Sequence, residues 1–352
     1  MRIAGLFFLI VCFFACSDSR FIEMPVVKEN CLRKLFDDYW DERMRLYPLE
    51  ATQNGDARFN HLLTISFTDS FRDTLNTFYL RYLQTIQQFK REALEENDRI
   101  SYDIFKREME IQLEGLKYPT HHIPFNQFWG LPLDMGQLGS GQGSQPFLTF
   151  SDYQNWIQRA RSFSAWTDSA IIYFKRGIEK GVVLPKALVI KMIPQMKELA
   201  NADSSKNIFF GPLQQLPQYL SSAEKDSIRA FLPGVIRQHL IKSYKKLAHY
   251  LEHDYLPQAR TSTGIGSLPN GAETYTYLAR LWTTTSLSPD KIYETGLSEV
   301  KRIKIEMERI KDSIGFTGDI NAFFHFMKTN KRFMPYKSPQ EILTAFKKIQ
   351  KR

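Results

Sequence analysis

Cysteine is scarce in this chain, with three in 352 residues. Cys12 and Cys16 lie at the extreme N-terminus and Cys31 stands alone, which excludes a disulfide framework and a thiolate zinc cluster. Stability has to come from packing. Long hydrophobic runs are also missing: the stretch Ile3 to Ala15 falls short of the roughly 20 residues that a membrane helix needs. Nor is charge of one sign concentrated. The 47 Lys and Arg outnumber 38 Asp and Glu, for a net charge of +9, but bases and acids are interleaved in segments such as "EVKRIKIEMERIKD". Spread basic charge reads as a solvated face, so no nucleic-acid partner is expected. What the chain does have is apolar material: 43% of residues are hydrophobic and 14% aromatic, enough for a large core and incompatible with disorder.

The first residues, "MRIAGLFFLIVCFFACSDSR", join a basic start to a short apolar run and then to a polar stretch, the pattern of a signal peptide over residues 1–15. Ala15 before Cys16 resembles a bacterial lipoprotein box, although Phe13 stands where an aliphatic residue is usual. This predicts an acylated Cys16 as the first mature residue, a tether over 16–28, and export to the cell envelope on the outer-membrane or periplasmic side. Ordinary signal cleavage without lipid is the alternative.

Beyond the tether the spacing is helical. Leu32, Leu35, Phe36, Tyr39 and Trp40 share a face before Pro48, which is expected to stop that helix. Helices are predicted over 68–95, 98–117, 151–180, 185–200, 222–255, 272–282 and 289–314, and again from Pro339 onward. The stretch 119–147 is rich in Gly and Pro, carries Asp134 as its one charge, and should pack over a surface or line a cleft. Its "GSGQG" lacks the following Lys-Ser or Lys-Thr of a phosphate loop. The fold is expected to be mainly α, a single multi-helix domain over 29–352 and the N-terminal part of a larger helical fold, incomplete at its C-terminus.

One short motif invites a catalytic reading. "HYLEH" over 249–253 has the His-x-x-Glu-His order in which two imidazoles bind zinc and the carboxylate acts as base. Helical geometry argues against it. Leu240, Ile241, Tyr244, Leu247, Ala248, Leu251 and Tyr255 form one apolar stripe, leaving His249 and His253 on the opposite side with Lys242, Lys245 and Lys246. A face shared with three lysines disfavours a dication. His61, His239 and His325 are isolated in sequence, while His121 and His122 are adjacent and on regular structure would point apart. No Gly-x-Ser-x-Gly elbow marks a nucleophile.

Several stretches together resemble a known family. They are "YPLEATQNGDARFN", "FSDYQNWIQRARSF", "GIEKGVVLPKALVIKMIPQMKEL", "YLPQARTSTGIGSLPNGAETYTYLARLWTTTSLSPDKIYETGLSEVKRIKIEM" and "FFHFMKTNKRFMPYKSPQEILTAF". In this order they are similar to the bacterial domain-of-unknown-function 885 family over about residues 30–352, whose members are often secreted or lipid-anchored. The resemblance implies a helical, zincin-like peptidase scaffold in which a His-Glu-x-x-Pro-Gly-His helix binds zinc and handles a peptide substrate. That motif occurs nowhere in this sequence, so no catalytic or metal residue carries over, and zinc is expected only in complete members. Within the segment present, Gly266, Pro269 and Gly271 with Tyr275 and Tyr277 offer a sharply turned backbone and hydroxyls for a cleft, or else a plain corner between helices. Three functional readings follow: the scaffold part of a metallopeptidase-like lipoprotein, inactive by itself; a non-enzymatic helical envelope lipoprotein that binds a partner or ligand; and a zinc peptidase using residues 249–253. Substrate and oligomeric state are left open.

Overall fold

The computed structural model describes residues 29–351; the signal peptide, Cys16 and the tether lie outside the described residues. Helices follow one another as α1 (Glu29–Leu46), α2 (Pro48–Gln53), α3 (Asp69–Ile86), α4 (Glu96–Gly115), α5 (Leu131–Leu138), α6 (Phe150–Glu179), α7 (Lys186–Leu199), α8 (Gly211–Gln214), α9 (Ser222–Val235), α10 (Lys242–Tyr250), α11 (Gly271–Thr283), α12 (Pro289–Ser313), α13 (Ile320–Thr329) and α14 (Pro339–Gln350). No strand occurs among the described residues, and an isolated parallel bridge joins Pro185 to Arg260. The protein is mainly α, as its periodicity requires.

The helix starts are written locally. Thr149 and Ser221 form capping boxes with Asp152 and Glu224, and the Ser288 and Ser338 side chains each accept the first-turn N–H ahead of a proline. Four expectations change. Pro48 does more than stop α1: it opens α2, where its fixed φ suits the first turn and its missing N–H costs nothing. The Gly/Pro-rich stretch 119–147 contains α5, with a proline in its first turn. The 222–255 helix is interrupted by π-helical turns at Ile236–Ile241 and Leu251–Tyr255. Pro233, in the last turn of α9, lacks a donor, which favours a shift of the hydrogen-bond ladder just beyond it. Finally, α13 forms where no helix was expected, because a ring cluster of Phe316, Phe323, Phe326 and Phe333 supplies what the short segment lacks in length.

The described residues divide into two compact units, the first ending at Pro269 and the second beginning at Asn270. In the first unit, α1, α3 and α4 enclose Leu32, Phe78, Tyr79, Tyr82 and Met109. The larger core of that unit surrounds α6, whose Trp156, Ala160, Phe163 and Phe174 are fully buried against α9, α10 and the π-helical turn between them. Every member of the stripe from Leu240 to Tyr255 is buried there.

Arg159 sits in this apolar setting with no exposed surface and no carboxylate among its hydrogen-bond partners. Its guanidinium donates to the carbonyls of Leu62 (2.9 Å) and Phe59 (2.9 Å), to Thr52 Oγ1 (3.0 Å) and to Gln145 Oε1 (2.6 Å). Burial pushes its pKa down to about 10, which still leaves it charged at neutral pH. One side chain on α6 thus ties down chain that precedes it, from α2 to the loop before α6.

In the second unit, α12 and α14 bury no residue at all. An apolar stripe along α12 is uncovered: Tyr293 is 68% exposed, and Leu297, Val300, Ile303, Met307 and Ile310 are exposed with it.

Candidate functional site

A groove of about 680 Å³ opens in the first unit between α5, the following glycine loop, the end of α7 and residues 205–214. The expectation that the Gly/Pro-rich stretch lines a cleft is met here. The glycines serve packing, not phosphate: a Cβ on Gly139 would lie 2.5 Å from both the Phe209 and Trp156 rings. Asn207 fixes the opposite wall by donating to the carbonyls of Leu199 and Asn201 and accepting from the Phe209 N–H. The lining is amide-rich, with Gln137, Gln142, Gln195, Gln214 and Asn207, and it contains no imidazole or thiol. Of its hydroxyls, Ser205 donates to the Asp203 carboxylate (2.7 Å) and Ser140 to the Gln137 carbonyl (2.7 Å). The clue in the sequence was the uncharged, Gln-bearing character of 135–145.

Two histidine arrangements were not legible in the sequence. Ser164 Oγ lies 3.1 Å from His239 Nδ1, so His239 is not isolated. The pair resembles part of a hydrolytic triad, yet Ser164 stands in the middle of α6, where backbone N–H groups are committed to the helix ladder and no oxyanion hole can form. Arg161 and Lys242, the charged groups that bear on His239, are both cationic, and with burial they lower its pKa. His121 and His122 end a short 3₁₀ turn rather than a regular strand, which brings their ring centroids to 4.0 Å and places both near Tyr173. Burial, Arg72 and the neighbouring ring hold His121 down to about 4, and burial lowers His122 as well.

His249 and His253 are both exposed, with ring centroids 4.4 Å apart. Glu252 is engaged elsewhere, accepting from Lys197 Nζ at 2.7 Å, which draws its carboxyl below the usual range.

A family model described as "Bacterial protein of unknown function (DUF885)" matches residues 48–352. The chain belongs to this family. Among solved structures, the fold is similar to that of a candidate lipoprotein from Colwellia psychrerythraea, with a TM-score of 0.72 at 18% identity. The match covers 86% of this chain and 54% of that one, so the chain spans about half the length of the structure it resembles. Among curated proteins none matches.

The zinc that the DUF885 resemblance implies does not fit the residues at hand. Among the described residues no three His, Cys, Asp or Glu side chains converge on a metal position, and a two-histidine face whose carboxylate is tied to a lysine offers neither a third ligand nor a free base. No step through a metal is derived for this DUF885 chain. The proposed cleft residues are split between the two units. Gly266 sits in an open 3₁₀ turn and Pro269 is exposed; Asn270, at φ +53°, makes the corner from which α11 starts at Gly271. Tyr275 is exposed and Tyr277 buried, on different sides of α11. No helix among the described residues is long and apolar enough to cross a membrane.

Proposed function

We propose that this chain is the scaffold portion of an exported, lipid-anchored DUF885 protein of metallopeptidase-like type, inactive by itself. The observation that carries this reading is the uncovered α12 stripe. Burying six large apolar side chains is worth about 1.5–3 kcal/mol each, so a helix that displays them all to water is built to be covered. The occupant that fits is further chain, and the Colwellia protein extends well past the matched 54%. In a complete homologue that chain would supply the zinc ligands and the base, while this portion would wall the peptide cleft; the amide-lined groove is suited to hydrogen-bonding an extended backbone. A lipid anchor at Cys16 would hold the exported protein at the cell envelope.

The test is metal analysis and a peptidase assay on purified residues 17–352. The reading predicts sub-stoichiometric zinc and no hydrolysis. Stoichiometric zinc that is lost in His249→Ala and His253→Ala, together with hydrolysis, would replace it with a peptidase built on residues 249–253.

A further inference from the structure

Away from the groove, a second cavity of about 270 Å³ opens in the first unit beside the start of α5. Its walls are aromatic: Phe67, Tyr47, the buried Trp166 and the 57% exposed Trp129. Asp134 is the one carboxylate lining it whose charge is not already offset, since Glu50 is clamped by Arg43 through bonds of 3.0 and 2.8 Å. Among the described residues, Asp134 has no hydrogen-bond or ion-pair partner for its side chain, and burial alone raises its pKa. Tyr244, close enough to feel its charge, donates instead to the Pro132 carbonyl at 2.7 Å.

The indole at the rim is held on purpose-shaped backbone. Asn126 accepts the N–H groups of Phe128 (2.7 Å) and Trp129 (3.1 Å) on its side chain and donates its own N–H to the Trp129 carbonyl (3.0 Å). Gly130 follows at φ +129°, where a Cβ would sit 2.3 Å from the Phe125 Cβ, so only glycine lets the chain turn here into α5. A large apolar side chain that is mostly in water, yet carried by a loop this constrained, is not explained by packing. Nor is a half-buried carboxylate without a partner.

We propose that the cavity binds a small organic ammonium: the charged head lies against Asp134 and the faces of Trp129 and Trp166, and the apolar body sits between Phe67 and Tyr47. An ion pair in a half-dry site and attraction to aromatic faces both favour a cation over a neutral molecule of the same shape. The volume suits a ligand smaller than those of drug-sized pockets, which begin near ~300 Å³. This inference does not depend on how the chain relates to a peptidase.

The test uses the full chain and two probes of one shape, choline and its uncharged carbon analogue 3,3-dimethylbutan-1-ol, followed by titration of the indole N–H resonances and by calorimetry. Saturable choline binding that moves the Trp129 resonance is expected, with the neutral analogue weaker by about tenfold or more. Asp134→Asn and Trp129→Ala should each weaken choline by about tenfold or more, while Trp129→Phe keeps part of the affinity and the melting temperature stays unchanged in all three. Equal binding of the two probes, full choline affinity in Asp134→Asn, or no saturable shift by about 10 mM choline would overturn the assignment.

Discussion

Replacing Arg159 with methionine keeps the length and apolar stem of a side chain that has no exposed surface, and deletes the donors that hold Leu62, Phe59, Thr52 and Gln145. Each acceptor left buried without a partner costs about 1–3 kcal/mol, while losing a buried, carboxylate-free charge returns part of that. Thr52 keeps its own bonds to Pro48 O and Asn60 Oδ1, so the loss falls on the two loop carbonyls and on Gln145. The net expectation is destabilisation by about 3–5 kcal/mol, a large share of the 5–15 kcal/mol that keeps a domain folded. Urea unfolding followed by circular dichroism measures it as a fall in midpoint at unchanged m-value. Arg159→Lys should not rescue, because an ammonium cannot reach acceptors spread around a planar fork. A methionine variant within about 0.5 kcal/mol of the parent would show that the network merely follows the fold.

Three further outcomes follow, two from the structure and one from the sequence. His121 is held down to about 4 against an unfolded value near 6.5, so its contribution to stability is fully present above about pH 6.5 and is lost as pH falls through 6.5 toward 4. With its partial exposure the loss amounts to about 2 kcal/mol between pH 7 and 4, and His121→Gln should flatten that part of the urea-midpoint profile; an unchanged profile would discount the pair. Gly139→Ala forces a Cβ to 2.5 Å from two buried rings and should cost about 1–3 kcal/mol in the same assay. Metabolic palmitate labelling should disappear in Cys16→Ala, and labelling that survives would remove the lipid anchor.

The sequence revealed what is decided locally. Ser288-Pro289 and Ser338-Pro339 start helices because the cap and the proline act within one turn, and the Leu240–Tyr255 stripe is buried because helical spacing puts those residues on one side. What depends on distant chain was hidden. Helix α5 hides beside Gly139, which is there for close contact with Trp156 and Phe209. Ser164 meets His239 across 75 positions, and Arg159 collects its acceptors from as far back as Pro48, 111 positions earlier. In the motif that looked most chemical, residues 249–253, both histidines face outward, whereas Trp129 drew no notice and Asp134 stood out only as the one charge of its stretch, because neither belongs to a pattern that a scan would find.

The central claim is that the α12 stripe is a face made to be covered by further helical chain. The direct measurement is 8-anilinonaphthalene-1-sulfonate fluorescence and thermal melting of the chain beside a Leu297→Glu, Ile303→Glu variant. The account predicts strong dye binding by the parent, a clear drop in the variant, and a melting temperature unchanged or raised, because both side chains already lie in water. Unchanged dye binding, or a variant that melts earlier, would mean that the stripe is packed in solution and that no further segment is needed to cover it.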